Sequence, residues 1–212
     1  MGITKSWFIM SNWAKKDDIR FTTKFAEKLI LEYTKKGGMV FDPFAGYGTT
    51  LFAAQKNGRI GIGIEYDKER FNYIKSIIRF PSQIINGDCT KISSMKLPKM
   101  DFLLTSPPYM RFFDKENPFT NYTKTGHYKN YLKTIGKVFL NIKKIMKKNS
   151  TLIVEASNTF GKNRPMTPLA WDIGKEISKC FFLEKEIIYC HKEKSSNTEG
   201  DYHSYCLVFR KK

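Results

Sequence analysis

The sequence predicts an α/β domain with a mostly parallel sheet, helices on both faces and an antiparallel hairpin at its C-terminal end. Three observations predict it. Short apolar runs alternate with amphipathic segments along most of the chain. The first run ends in a turn with two glycines that opens a helical segment. The last two runs lie close together, as paired antiparallel strands do.

The elements follow in order. Residues 1–20 read as an irregular arm carrying Trp7 and Trp13. A helix is predicted from Thr23 to about Lys35, because Phe25, Leu29, Ile30 and Tyr33 form one apolar stripe. Thr22 or Thr23 can cap it, and Gly37 and Gly38 end it. MVFD is a strand, and the loop from Asp42 to Thr50 leads into a helix through Gln55. IGIGIEY is a second strand, and 67–78 is a helix with Phe71, Ile74 and Ile77 on one face. SQIING and MDFLLT are strands. A loop rich in aromatics runs from Met110 to His127, and a helix covers 128–147. STLIVEAS is a strand, 168–180 is a helix, and FFLEKEIIYCH and YHSYCLVFRK are the last two strands. No repeat or linker divides the 212 residues, so 1–212 is read as one domain.

Bulk properties narrow the function. With 41% hydrophobic residues the chain can bury a core. No apolar run reaches the length of a membrane span, and Met1–Asp18 has no secretory pattern, so a cytoplasmic protein without membrane attachment is expected. Lys and Arg number 37 against 20 Asp and Glu, a formal charge of +17. That excess points to a polyanion such as nucleic acid, against the plainer reading of a solubilising lysine coat. Cys89, Cys180, Cys190 and Cys206 show no C-x-x-C pair and read as reduced thiols. His191, His203 and these cysteines match no common zinc spacing, so no metal is expected.

Four constellations carry chemistry, each at the end of a predicted strand. In Asp42-Pro43-Phe44-Ala45-Gly46-Tyr47-Gly48-Thr49-Thr50, the glycines let the backbone approach a ligand, and the helix start offers free N–H groups. Glu65, followed by Tyr66, ends the second strand near the spacing of an acid that binds ribose hydroxyls. Asp67 reads as a helix cap. Asp88 and Cys89 follow the third strand, where an acid can accept from an adenine amino group or simply close a turn. Thr105-Ser106-Pro107-Pro108-Tyr109 follows the fourth. Two prolines fix the backbone and leave carbonyls free, Ser106 offers a hydroxyl and Tyr109 a ring for stacking.

These residues resemble the amino-methyltransferase family of DNA and RNA enzymes. Asp42–Thr50 is similar to its cofactor loop and Thr105–Tyr109 to its catalytic motif, while the segment Phe21-Thr22-Thr23-Lys24-Phe25 resembles more loosely its methionine-side cofactor motif. The resemblance implies a Rossmann-like methyltransferase domain that uses S-adenosyl-L-methionine. It assigns catalysis to Ser106, Pro107, Pro108 and Tyr109. It assigns cofactor binding to Thr22, Thr23, Phe25, Asp42, Pro43, Phe44, Ala45, Gly46, Gly48, Thr49, Thr50, Glu65, Tyr66, Asp88, Cys89 and Thr105. In this family a Ser at the first motif position implies cytosine N4, and Asp or Asn implies adenine N6. The C5-cytosine relatives use a Pro-Cys nucleophile, a dipeptide that does not occur here.

The expected reaction is methyl transfer to an exocyclic base amine, cytosine N4 in DNA first, with structured RNA such as ribosomal RNA and adenine N6 as alternatives. A non-catalytic nucleic-acid-binding subunit is the alternative from another class, and the intact motifs speak against it. A nicotinamide enzyme would need the full G-x-G-x-x-G pattern, which Gly46–Leu51 lacks. Phe112, Phe113, Phe119 and Tyr122 either line the mouth of the base pocket or pack their loop on the sheet. Asn158 reads as a cap or turn residue and His127 as a surface residue. With no separate target-recognition domain expected, DNA contact falls to loops, a homodimer or a partner subunit.

Overall fold

The computed structural model describes residues 21–161, 164–190 and 203–212. The expected N-terminal arm with Trp7 and Trp13, and His191, lie outside them. The elements in order are α1 (Thr23–Tyr33), β1 (Met39–Asp42), α2 (Thr49–Lys56), β2 (Ile60–Glu65), α3 (Lys68–Ile77), β3 (Gln83–Asn86) and β4 (Met100–Thr105). Then come α4 (Tyr128–Ile145), β5 (Met146–Ala156), β6 (Thr159–Gly161), β7 (Arg164–Thr167), α5 (Leu169–Ser178), β8 (Phe182–Cys190) and β9 (His203–Arg210).

Seven strands form one sheet in the order β3-β2-β1-β4-β5-β9-β8. The strands from β3 to β5 run parallel, and β9 is antiparallel to both β5 and β8. The period of two sends alternate residues to opposite faces. Val40, Phe102, Leu104, Ile153 and Val208 pack with Leu29 and Ile30 of α1 and Ala53 and Ala54 of α2. Their neighbours Phe41, Leu103, Leu152, Val154, Leu207 and Phe209 pack with α4 and α5 through Ile135, Phe139, Ile173 and Ile177. Helices therefore cover both faces. Gly61 explains how close α2 lies, since a Cβ there would sit 2.8 Å from the Leu51 Cα.

β1 pairs with β2 on one side and β4 on the other, so the chain reverses its winding between β1 and β4. Such a switch point opens a crevice beyond the carboxyl ends of the strands. That places the loops after β1 and β4 side by side.

Several boundaries differ from the sequence expectation. α1 stops at Tyr33, because Thr34 turns extended and its N–H closes on the Ile30 carbonyl; Gly37 serves a left-handed turn further on. α4 stops at Ile145 and runs straight into β5, which starts before the apolar run because Met146 already pairs with Met100. Two 3-10 turns, Cys89–Ser94 and Pro118–Thr120, and the hairpin β6–β7 were not foreseen. None of the described helices is long and apolar enough to cross a membrane.

Candidate active site

A cavity of about 460 Å³ opens at the switch point. Its floor is the β1 loop. Pro43 to Gly46 turn over the sheet edge, and Gly46 and Gly48 take φ of 54° and 78°, a region that side chains disfavour. Gly48 caps α2 without a side-chain acceptor, so the helix start keeps its donors for a ligand.

Asp42 and Glu65 fix this floor. Asp42 is buried; its Oδ1 accepts from the Thr105 hydroxyl at 2.6 Å and from the Phe44 N–H at 3.1 Å. Burial raises its pKa to about 6 despite those bonds. Glu65 Oε2 accepts from the Gly46 N–H and Oε1 from the Asp67 N–H, both at 2.8 Å. Burial outweighs these bonds and the nearby Arg70, and lifts the Glu65 pKa to about 7. A carboxylate oxygen can take more than one donor, so both acids still have lone pairs to offer to hydroxyl or ammonium groups.

The opposite wall is Ser106–Tyr109. The Tyr109 hydroxyl accepts the Ser157 N–H at 2.8 Å, and its burial pushes the phenol far above its ordinary range. The hydroxyl end is sealed while the ring borders the cavity. Tyr131 of α4 donates to the Pro108 carbonyl at 2.9 Å. Among the described residues no hydrogen bond uses the Pro107 carbonyl. The loop 110–127 crosses the mouth: Pro118, Phe119, Asn121 and Tyr122 line it, and Asn121 donates to Asp67 Oδ2 at 3.1 Å on the far side.

The cavity brings together Asp42, Pro43, Phe44, Ala45, Gly46, Thr49, Glu65, Tyr66, Asp88, Cys89 and Ser106–Tyr109. Asp88 also closes the 3-10 turn, accepting from the Thr90 N–H and hydroxyl. Six expected residues lie outside the wall. Thr50 and Thr105 are buried beneath it, bonded to the Leu104 carbonyl and to Asp42. A Cβ on Gly48 would press on Ile74 at 3.1 Å, so that glycine faces α3. Thr22 caps α1 by accepting the Phe25 N–H, Thr23 opens the helix, and Phe25 stacks on Tyr189 with ring centroids 4.1 Å apart. Their neighbour Phe21 lines the cavity instead. The helix start explains this, because it turns Phe25 toward β8.

Sequence reasoning missed Phe21, Tyr47, Ile64, Arg70, Gly87, Pro118 and Asn121 on the wall. Phe21 and Tyr47 stand inside motif segments, and Ile64 and Gly87 directly beside motif residues, which was a usable signal; the others reach the cavity through tertiary folding. Phe119 and Tyr122 line the mouth, whereas Phe112 and Phe113 are absent from the lining. Asn158 accepts the Ala170 N–H at 3.0 Å and caps α5 from a distance, because the cap residue Pro168 offers no side-chain acceptor. Exposed His127 precedes α4 as its cap residue without a side-chain bond.

Fold and site together define a Rossmann-like methyltransferase domain. The DNA methylase family of N6/N4 type matches residues 2–76 and 100–212, and the chain belongs to that family. The type II methyltransferase M2.DpnII of Streptococcus pneumoniae is 40% identical over 60 residues, which are 28% of this chain and 22% of that protein. The orphan methyltransferase M.BamHII of Bacillus amyloliquefaciens is 49% identical over 49 residues, 23% of this chain and 18% of the relative. The matched stretch spans less than a quarter of either relative. Among solved structures, TrmN from Thermus thermophilus superposes with a TM-score of 0.63 at 15% identity, covering 91% of this chain and 49% of that one. A TehB-like SAM-dependent methyltransferase from Corynebacterium glutamicum gives 0.58 at 16% identity, covering 91% and 89%. At such identities the likeness speaks for the fold alone.

Proposed function

We propose that this chain transfers a methyl group from S-adenosyl-L-methionine to the exocyclic amine of a nucleic-acid base, with cytosine N4 in DNA as the target. The observation that carries the reading is one cavity walled on one side by two buried carboxylates and on the other by Ser106-Pro107-Pro108-Tyr109. The donor set fits the cofactor. Asp42 and Glu65 suit a ligand rich in hydroxyl and ammonium donors, and the uncapped start of α2 suits its carboxylate. Thr22, Thr23, Phe25, Gly48, Thr50 and Thr105 then support that site from behind.

When bound, the cofactor supplies an electrophilic methyl group on a sulfonium sulfur, which keeps the electron pair as the methyl leaves. The protein acts on the acceptor. A base amine is conjugated with its ring and is a poor nucleophile. The Ser106 hydroxyl and the Pro107 carbonyl accept its two N–H bonds and favour a tetrahedral nitrogen with its lone pair exposed. The Tyr109 ring, pinned by Ser157, stacks on the base that has left its helix. Once methylated, the nitrogen is strongly acidic, and its surplus proton passes to solvent water through the Ser106 hydroxyl, which takes up that proton as it releases its own. Fixed dipoles and orientation provide the rate enhancement, without a strong base. Ser106 at the head of the motif supports cytosine, and the family's description as a DNA methylase supports DNA over RNA.

The test is transfer from labelled cofactor to duplex DNA, single-stranded DNA and ribosomal RNA in parallel, with mass analysis of the nucleosides. N4-methylcytosine in DNA is expected. N6-methyladenine would overturn the base assignment, and methylation confined to RNA would overturn the substrate.

A further inference from the structure

Beside the cavity, outside its lining, two short segments meet. The chain leaving Tyr109 reaches Phe112 and Phe113, and the chain leaving Ser157 reaches β6 and β7. The Tyr109–Ser157 bond ties the two segments at their root. The Phe112 N–H donates to Thr167 Oγ1 at 3.3 Å and joins them further out. The tip of the Phe113 ring abuts the hairpin, where a Cβ on Gly161 would come within 2.4 Å of its Cζ. Two guanidinium groups sit over the same ring, Arg111 at 4.8 Å and Arg164 at 5.7 Å from its centroid. Phe112 stands edge-on to Phe113 and stays 43% exposed, and Phe160 of β6 is 39% exposed.

Packing explains Phe113 but not the others. An exposed phenylalanine alone is ordinary. Here an exposed ring and an exposed guanidinium meet on Phe113, next to the proposed catalytic wall. Arg111 is neutralised by Asp114 at 3.0 Å. Arg164 is exposed and has no ion pair among the described residues.

We propose that this pad, Phe112 with Arg164, grips the DNA strand immediately beside the extruded base. The inference rests on the proposed function and adds the surface that holds the substrate. A base that leaves its stack exposes the faces of its neighbours, and a phenylalanine ring can cover such a face whatever the sequence. A guanidinium positioned by an aromatic ring meets the phosphate between them. The chain's charge of +17 complements the strand. The cavity wall and the pad share one backbone, so a strand held on the pad presents its extruded base at the cavity.

The experiment compares wild type with Phe112→Ala, Phe112→Leu, Arg164→Ala and Arg164→Lys. Lys144→Ala, at the far end of α4, is the control. Binding of a labelled DNA oligonucleotide and of RNA of the same sequence is read by fluorescence anisotropy, cofactor affinity by calorimetry, and methyl transfer by kcat and KM. Phe112→Ala is expected to bind DNA about tenfold more weakly, with cofactor affinity unchanged. KM for DNA should rise while kcat at saturating DNA stays within about threefold, because the pad holds substrate without touching the reacting atoms. Arg164→Ala should lower the salt dependence of binding by about one phosphate contact, and Arg164→Lys should restore most of it. Unchanged DNA affinity and KM in Phe112→Ala of an enzyme that methylates DNA would overturn the pad and leave the function standing. A loss confined to RNA would overturn the DNA assignment. A wild type that binds cofactor yet transfers to no nucleic acid would instead overturn the function, and the pad with it.

Discussion

The β1–β2 half of the site and the β4–β5 half are built from different materials. The first is held by carboxylates: Asp42, Glu65 and Asp88 each close their own loop with hydrogen bonds to nearby N–H or hydroxyl groups. Its loops are short and most of its ligand groups belong to the backbone. The second half is proline and aromatic rings, carried on the long loop 110–127 and braced by tyrosine hydroxyls, Tyr109 to Ser157 and Tyr131 to Pro108. Under the proposed function the difference follows from the two ligands. A cofactor is the same small polar molecule in every turnover, so a rigid polar mould suits it. A base arrives attached to a polymer and must enter and leave, so sequence-tolerant stacking surfaces on longer loops suit it.

Mutations can break that division. The largest effect is expected from Tyr109→Ala, which removes the ring and its anchor. Methyl transfer should fall about a hundredfold or more while cofactor affinity measured by calorimetry stays near wild type. Equal loss of both would show that the two halves are not separable. Glu65→Ala should do the reverse and weaken cofactor binding by about 1.5–3 kcal/mol. The same residue gives a pH test. Burial raises the Glu65 pKa to about 7, and the ionised form is the better acceptor of hydroxyl groups. Cofactor affinity should therefore rise as pH increases through 7 and level off above it. A flat profile would remove Glu65 from the binding step.

Smaller changes sharpen the comparison. Tyr131→Phe deletes only the hydroxyl that holds the Pro108 carbonyl, so thermal stability should drop by about 1 kcal/mol. Transfer should fall in the same variant and cofactor affinity should not. Asn158→Ala removes the distant cap of α5 and should cost about 1 kcal/mol in thermal melts, leaving both affinities unchanged.

Much of the frame was legible because apolar runs and strand-end motifs are local signals. Asp42, Gly46, Glu65 and Ser106–Tyr109 could be placed at one edge once their strands were recognised as parallel. What stayed hidden depends on distance. The three- and four-residue strands β6 and β7 are too short to show a period. Phe21 and Phe25 look equivalent in the sequence, and only the helix start at Thr23 decides which one meets the cavity. The Tyr109–Ser157 and Asn158–Ala170 bonds join residues that no spacing rule connects.

The hydrogen bond from Thr105 to Asp42 has a consequence for anyone wishing to redesign this protein. It rivets the loop after β1 to the strand that carries Ser106–Tyr109, inside the core and away from loop 110–127 and the β6–β7 hairpin. Under the proposed function, donor-to-acceptor spacing thus belongs to the chassis and target reading to the attachments. The crossing loop and the β6–β7 hairpin could be exchanged for others, as tool heads are, with the stroke of the machine unaltered.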